Sequence, residues 1–285
     1  MIRKTTLARF QRDLEARGLK PNTVGAYLRC IRRFLRQLDG PPSRATECDL
    51  RNHLLRLRRE FSPQTTNQAI AALRCFYCET LRRPRIVERL RHVKHDKRLP
   101  TILSGSEVQR LFRATRSPKY RALFGLMYGA GLRVSEACSL RVEDVDSKRM
   151  LLHVVESKGG SRLQPLSESV LQDLRDYYRA ERPAGPLLFP GQRTGRPLTR
   201  AAVKLALRKC RRDAGIDKPI TPHTLRHCYA THLLDAGADI RSVQVLLGHA
   251  SVKSTEHYTK LSRARLAAIP SPLELLGTPA GLVLG

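Results

Sequence analysis

The first 90 residues carry only helical patterns. Between residues 21 and 38 the apolar side chains recur at intervals of 3, 1, 3, 4 and 3 residues, which is the period of a helix with one buried face. They are Val24, Tyr27, Leu28, Ile31, Leu35 and Leu38. Thr6 and Ser62 have the side chains that cap helix N-termini, and Pro63 suits the first helical position. With a further leucine-containing helix over residues 50–57, the pattern predicts a bundle of four short helices.

The second of these helices presents four arginines along one stripe, at positions i, i+3, i+4 and i+7. They are Arg29, Arg32, Arg33 and Arg36. A helix face that is merely solvated usually mixes both signs of charge, so four arginines without an acid are better explained by phosphate contact. The basic stretch 91–103 follows, with Lys94 and Lys97 as further candidates. We interpret it as a linker that lies along DNA.

The charge balance points to a polyanionic partner. The chain of 285 residues has 53 Lys and Arg against 25 Asp and Glu, a net charge of +28. Nucleic acid is the first interpretation and an anionic membrane surface the second. The sequence has no run of 18 apolar residues and no signal-peptide core at its start, so we expect a cytoplasmic protein without a membrane span.

The seven cysteines do not predict a disulfide framework, because their number is odd and a cytosolic setting is reducing. Cys75 and Cys78 form a CxxC pair without a second Cys or His pair nearby at zinc-ribbon spacing. Since the surrounding segment has a helical pattern, we favour buried helical thiols over metal or redox use.

The second part of the chain begins with a helix-capping signal at Ser104 and is mainly helical. Residues 149–156 and 162–166 are β-prone and flank a Lys-Gly-Gly-Ser turn, which predicts a hairpin. The predicted fold is therefore mainly α with a small antiparallel β-sheet.

Four motifs of this part carry side chains suited to phosphate chemistry. Arg133 follows Gly131 at the start of a helix, with Glu136 three residues later. His223, Arg226 and His227 form an HxxRH pattern in a helix that Thr221 caps, where free backbone N–H groups favour an anion. The third motif is a Leu-Gly-His turn that ends at His249, after a helix whose predicted buried face is Ile240, Val243, Leu246 and Leu247. The fourth holds Tyr258, nine residues after His249.

These motifs, in this order and at these spacings, resemble the tyrosine recombinases of the phage-integrase and Xer type. The resemblance covers nearly the whole chain and implies two domains. A helical core-binding domain over 1–90 is joined by the linker 91–103 to an α+β catalytic domain over 104–268. Residues 269–285 form a tail that family members exchange between protomers. This two-domain organisation is that of the simple Xer-type or transposon integrases.

The resemblance also implies the reaction and the role of each residue. Tyr258 is the nucleophile that forms a 3′-phosphotyrosyl link, and Arg133 and Arg226 clamp the phosphate oxygens. His223 acts in proton transfer with Tyr258, and His249 hydrogen-bonds the phosphate. Because the phosphotyrosine conserves the bond energy, neither ATP nor a metal is implied. The partner is double-stranded DNA, bound by a homotetramer or by a heterotetramer with a related recombinase.

The catalytic lysine is the one departure from the family pattern. Family hairpins often read Lys-Gly-x-Lys-x-Arg-x-x-Pro, whereas Lys158 begins a run that lacks the second lysine and is one residue shorter. Lys158 is the expected acid that protonates the departing 5′-oxygen, with Lys148 as the alternative. Glu136 and His227 are expected in supporting roles.

Three other functions remain as alternatives: a catalytically silent DNA-binding relative, a type IB-like topoisomerase and a metal-dependent nuclease. The lack of clustered carboxylates disfavours the nuclease. A zinc triad of His223, His227 and His232 is disfavoured as well. His232 lies on a different face of the helix from the other two histidines, and the arginine between those two would repel the ion. The sequence leaves open whether the recombinase serves integration, excision, transposition or the resolution of DNA multimers.

Overall fold

The structure, a computed structural model, describes residues 2–94, 100–155, 160–192 and 195–248 together with Pro272, with side chains from residue 5 onward. The chain divides into two compact units, Met1–Arg98 and Leu99–Gly285. Within the described ranges, no helix is long and apolar enough to cross a membrane.

The first unit is helical, as its sequence pattern predicts. Its helices are α1 (Ile2–Ala16), α2 (Pro21–Gln37), α3 (Glu47–Glu60) and α4 (Pro63–Cys75), with a π turn at Phe76–Thr80 and 3₁₀ turns at Pro42–Arg44 and Pro84–Val87. Ser62 caps α4 through the backbone N–H of Thr65, as expected. The expected cap at Thr6 is wrong, because no helix breaker precedes it and α1 already begins at Ile2.

The core of the first unit is formed by the apolar face of α2 and by a chain of aromatic rings. The rings of Phe10 and Phe76 meet edge to face with centroids 5.1 Å apart, and Phe76 meets Tyr77 in the same way at 5.3 Å. Cys75 is buried in this core, and its sulfur accepts a hydrogen bond from Arg17. Burial raises the pKa of the Cys75 thiol, which keeps it protonated and unreactive.

The second unit holds seven helices and a three-stranded sheet within its described residues. The helices are α5 (Gly105–Ala114), α6 (Pro118–Gly129), α7 (Val134–Ser139), α8 (Glu168–Glu181), α9 (Arg200–Asp213), α10 (Pro222–Asp235) and α11 (Ile240–Leu246). Helix α6 is buried from Ala122 to Gly129 and packs against α8 and α10, so it forms the centre of this unit.

The sheet confirms the predicted hairpin and adds one strand. Strands β1 (Val145–Asp146), β2 (Leu151–Val155) and β3 (Ser161–Pro165) are antiparallel in the order β1-β2-β3, with His153 opposite Leu163. Side chains alternate between the two faces of a strand. In β3 this alternation turns Arg162 and Gln164 inward, where both are buried.

Candidate active site

The turn between α6 and α7 places Arg133 and Glu136 side by side. Gly131 has a φ of +62°, which ends α6 and redirects the chain, and Arg133 is the N-cap residue of α7. The Glu136 carboxylate accepts the backbone N–H of Arg133 at 2.9 Å and its Nη1 at 2.6 Å. Glu136, for which the sequence analysis expects a supporting role, thus holds Arg133 through two hydrogen bonds.

Helix α10 brings Arg226 to the same place. Thr221 begins the helix with Pro222 at the first position, as the sequence indicates. The buried Arg226 donates from Nη1 to the carbonyl of Gly131 at 2.5 Å, and this Nη1 lies 3.8 Å from the Glu136 carboxylate. Two of the sequence motifs thus meet in the fold.

The turn after α11 joins them. Arg226 donates from Nη2 to the carbonyl of Leu247, and Arg133 donates from Nη2 to the carbonyl of Gly248 at 3.1 Å. Gly248 has a φ of +58°, in line with its expected role as a left-handed cap. Both arginines are therefore anchored on the two residues that immediately precede His249 in the sequence.

Val243 and Leu246 of α11 pack against Tyr229 and Leu233 of α10, together with Leu247, the residue after the helix. The prediction that Ile240 belongs to this buried face is wrong, because its side chain is 66% exposed. Ile240 is the first residue of α11, and the buried residues of this helix begin only at Ser242.

Three guanidinium groups surround the Glu136 carboxylate. Arg162 of β3 joins Arg133 and Arg226 from the side of the sheet. Its Nη2 donates to Glu136 at 2.8 Å, and both side chains are 3% exposed. Burial raises the pKa of Glu136, but the hydrogen bonds and charge of Arg162 and the hydrogen bonds of Arg133 outweigh burial and lower it to about 2. The carboxylate is therefore ionised, and the cluster keeps a net charge of +2 from three cations and one anion.

Arg226 is the deeper of the two arginines named by the motifs. Its side chain is 8% exposed, against 32% for Arg133. Burial and the charge of Arg133 lower the pKa of Arg226 to about 10, so it stays cationic at neutral pH. An anion that approaches from solvent meets Arg133 first and Arg226 behind it.

The two histidines of the HxxRH pattern lie on the exposed side of α10, with ring centroids 6.5 Å apart. Burial, followed by the charges of His227 and Arg226, lowers the pKa of His223. His223 is therefore neutral at physiological pH and can accept a proton.

His232 points elsewhere: its Nδ1 lies 2.9 Å from the Tyr128 hydroxyl, and its Nε2 lies 2.9 Å from the Leu103 carbonyl. In the ranges the structure covers, no three His, Cys, Asp or Glu side chains gather as a metal site.

Several predicted site residues lie outside the described residues, namely Lys97, Lys158, His249 and Tyr258. The tail lies outside them too except for Pro272, whose carbonyl is 3.4 Å from the Tyr128 hydroxyl. The alternative acid, Lys148, is exposed beside the short β1–β2 turn, where its backbone N–H bonds to Asp146.

The arginine stripe of α2 is exposed along its whole length, as is Lys94. The Arg33 guanidinium stacks over the Phe61 ring, 4.2 Å from its centroid. This stacking orients one cation of the stripe without neutralising it.

The sequence analysis missed a second basic surface, on α9. A groove of about 1500 Å³ lies along this helix. Its cationic lining includes Arg113, Arg116, Lys204, Arg208, Arg211 and Arg212. The density of basic residues in α9, with Asp213 as its only acid, is a signal that the sequence did carry.

Arg162 was also missed as a site residue. The two-residue alternation of a strand would place the apolar Leu163 inward and Arg162 outward, whereas Leu163 is exposed and Arg162 is buried, so the sequence pattern points the wrong way. Its partner Glu136 is 26 residues away, and that pairing is visible only in the fold.

Comparison with known proteins places nearly the whole chain in one family. Residues 101–265 match the phage integrase family, and residues 6–86 match the phage integrase N-terminal SAM-like domain. The chain is 41% identical over 276 residues to the integrase/recombinase y4qK of Sinorhizobium fredii, covering 95% of this chain and 89% of that relative. It is 32% identical over 286 residues to tyrosine recombinase XerA of Pyrococcus horikoshii, covering 99% and 98%.

Solved structures share the fold. A crystal structure of XerA recombinase matches with a TM-score of 0.51 at 28% identity, over 92% of this chain and 96% of that one. A lambda integrase dimer bound to a COC′ core site matches with a TM-score of 0.73 at 23% identity, over 88% and 96%. The chain therefore belongs to the phage integrase family, the tyrosine recombinases, and is an enzyme of that class. The resemblance drawn from its motifs and the mainly helical fold class are both confirmed.

Proposed function

We propose that this enzyme is a site-specific DNA recombinase that cuts and rejoins strands through a covalent 3′-phosphotyrosyl intermediate on Tyr258. One observation supports this most directly: Arg133 and Arg226, from separate motifs, are both anchored on the Leu247–Gly248 turn that leads into His249. Residues from three of the four sequence motifs are thus joined by hydrogen bonds in one small volume.

In the proposed reaction the Tyr258 oxygen attacks the scissile phosphorus and the P–O5′ bond breaks. The phenolic proton passes to His223, whose pKa is lowered so that the neutral ring is available. Lys158 gives a proton to the departing 5′-oxygen. Rejoining reverses these steps with the 5′-hydroxyl of another strand, so no bond energy is lost and no external energy source is consumed.

The arginine cluster supplies the charge that this reaction needs. Negative charge builds on the non-bridging oxygens in the transition state, and planar guanidinium groups bind two such oxygens well. Arg133 and Arg226 are in this proposal the groups that contact the phosphate, and His249 adds a hydrogen bond. The net charge of +2 around Glu136 remains in place before and after the strand is cut.

DNA contact is assigned to each unit separately. In the first unit it falls to the α2 stripe with Lys94 and Lys97, and in the second unit to the basic groove along α9 as well. We assign the core-binding role to residues 1–90, the linker to 91–103, catalysis to 104–268 and protomer exchange to the tail 269–285.

We propose a tetramer on two DNA sites in the cytoplasm as the working assembly. A solved lambda integrase tetramer bound to a Holliday junction has this fold. The enzyme would act alone as a homotetramer or with a related recombinase.

Covalent trapping tests the proposal. Wild type, Tyr258→Phe and Tyr178→Phe are expressed beside the DNA that flanks the native locus. After denaturation, protein-linked DNA is recovered and sequenced. Tyr178 is the matched control, because it is a half-exposed tyrosine on α8 with no proposed part in the reaction.

Junction-specific adducts are expected with wild type and Tyr178→Phe and not with Tyr258→Phe. Adducts with all three would assign the nucleophile elsewhere. If a nicked substrate supplied with a related recombinase gives no adduct with wild type, the chain is a catalytically silent relative. Relaxation of supercoiled DNA without a recombination site would instead favour the topoisomerase.

A further inference from the structure

We propose that Arg162 is a positioning residue for the reaction: it fixes the Glu136 carboxylate, and through it the two arginines that contact the phosphate. The inference rests on the proposed function, because it names a further residue of that same site. Arg162 lies on β3 and stands at the arginine of the family hairpin pattern, to which the resemblance assigns no role here.

The carboxylate of Glu136 has all of its acceptor sites occupied. Its Oε1 accepts from Nη1 of Arg133 at 2.6 Å and from Nη1 of Arg162 at 3.3 Å. Its Oε2 accepts from the backbone N–H of Arg133 at 2.9 Å and from Nη2 of Arg162 at 2.8 Å. An ionised carboxylate offers about four lone-pair sites. Arg162 therefore supplies half of the hydrogen bonds that hold Glu136 in one orientation.

Arg162 acts through Glu136 because it has no access to a substrate. Its side chain is 3% exposed, whereas that of Arg133 is 32% exposed. A buried guanidinium that donates two hydrogen bonds to one carboxylate is a rigid support. Both groups are planar, and the two hydrogen bonds together fix their relative orientation.

The placement of Glu136 between Arg162 and the other two arginines gives Arg162 a second effect, on the position of Arg133. Glu136 stands between cations, with Arg162 on the sheet side and with Arg133 and Arg226 on the side of the helices. Without Arg162, the carboxylate keeps its burial and loses its closest side-chain partner from the sheet. Arg133 then loses a fixed partner, and its guanidinium can leave the position that the proposed phosphate contact requires.

A second route has to be separated from this one. Arg162 stands four residues after Lys158 in the chain, so a change at Arg162 can act through the proposed acid of the leaving group. A substrate with sulfur in place of the bridging 5′-oxygen separates the two routes. A thiolate leaves without a proton because thiols are far more acidic than alcohols. Such DNA restores the rate when only the acid is impaired and leaves it slow when the arginine pair is misplaced.

The test compares wild type, Arg162→Met, Arg162→Lys, Glu136→Gln, and Glu136→Gln combined with Arg162→Met. The control is Arg141→Met, which removes a half-exposed arginine that pairs with Glu143. Single-turnover cleavage is measured on nicked DNA carrying the trapped site, with the ordinary and the 5′-sulfur linkage, and DNA affinity is measured in parallel. Circular dichroism confirms that each variant is folded.

Arg162→Met is expected to slow cleavage about 100-fold at saturating DNA, the effect of a small misplacement of a reacting pair. Affinity is expected to stay within about threefold, and the sulfur substrate is expected to remain equally slow. Arg162→Lys should recover part of the rate, because it keeps the charge and loses the bidentate geometry. The combined variant should be no slower than Glu136→Gln alone, because both changes break one linkage.

If Arg162→Met does not fold, two measurements still test the inference. They are the rate of Arg162→Lys and the comparison of the combined variant with Glu136→Gln. Restoration by the sulfur substrate, additive effects in the combined variant, or a wild-type rate in Arg162→Met would each overturn the inference. Wild type is in every assay, so a failure of the proposed function is seen separately as the absence of any Tyr258-dependent product.

Discussion

Gly131 faces the ring of Tyr229 so closely that a Cβ at position 131 would lie 2.6 Å from two of the ring carbons. The residue also has a φ of +62°, where a side chain is strained in any surroundings. Its own carbonyl accepts the hydrogen bond of Arg226. The turn that leads to Arg133 is therefore held closely against the helix that carries Tyr229 and Arg226.

Gly131→Ala is expected to destabilise the fold by about 2–4 kcal/mol, from backbone strain together with overpacking against an aromatic ring. Urea denaturation followed by circular dichroism measures this loss. Gly237→Ala is the control, since its φ of +89° is also strained and nothing lies within 4 Å of its would-be Cβ. Equal losses in the two variants would show that the Tyr229 contact contributes nothing.

Glu136→Gln is expected to cost about 3 kcal/mol of stability at neutral pH, as the difference between the usual pKa near 4.5 and the value of about 2 implies. A depressed carboxyl pKa stabilises the fold above the unfolded-state pKa, and this contribution disappears as the pH falls through the folded value. The gap between wild type and variant should therefore be full above about pH 5.5 and narrow from about 4.5 towards 2.

Urea denaturation at a series of pH values measures this gap. Glu143→Gln is the control, because it removes an exposed partner of Arg141 and should change stability by less than about 1 kcal/mol. A gap that stays constant with pH would contradict the ionised, buried carboxylate.

The pH profile of cleavage should reflect the lowered pKa of His223. A histidine with a lowered pKa stays neutral to more acidic pH, so the rate should hold down to about pH 6.5 and fall only below it. Single-turnover cleavage of nicked DNA between pH 5 and 8 measures the profile. His223→Gln should be slow throughout and lose this acidic limb, whereas His227→Gln should keep it. An acidic limb that survives in His223→Gln would assign it to another group.

The exposed stripe of α2 should contribute to DNA affinity by charge alone. Each arginine that neutralises one phosphate adds about 0.9 to the slope of log affinity against log salt. Arg29→Ala, Arg32→Ala and Arg36→Ala should each weaken binding and lower that slope by about 1, equally for all DNA sequences. Fluorescence anisotropy over a range of KCl concentrations measures the slope. Arg175→Ala is the control, since its guanidinium already pairs with Glu168.

The sequence predicts those parts of the fold that local chemistry determines. Thr221, Pro222 and Gly248 mark the ends of helices, and the apolar period of α2 gives its buried face, since each depends on residues a few positions away. Ile240 fits the helical period of α11 and is nevertheless exposed. Its burial depends on whether a neighbouring helix covers the first turn of α11, which the period does not indicate.

Arg133, Glu136 and Arg226 could be singled out from the sequence, but their arrangement could not. The motif spacings single out Arg133 and Arg226 without indicating that both would be anchored on one turn. Arg162 could not be connected to Glu136, because the link requires β3 to pack beside α7. Pairings of this kind depend on the tertiary fold and are not visible in the local sequence pattern.

The two carbonyl anchors of Arg226 have a thermodynamic consequence. A free arginine side chain loses about 2 kcal/mol of rotamer entropy when it is fixed in one conformation. The Arg226 guanidinium is already held by Gly131 and Leu247 in the protein without DNA, so that loss occurs when the chain folds. In the proposed complex with DNA, little of the binding energy is therefore consumed in ordering the Arg226 side chain.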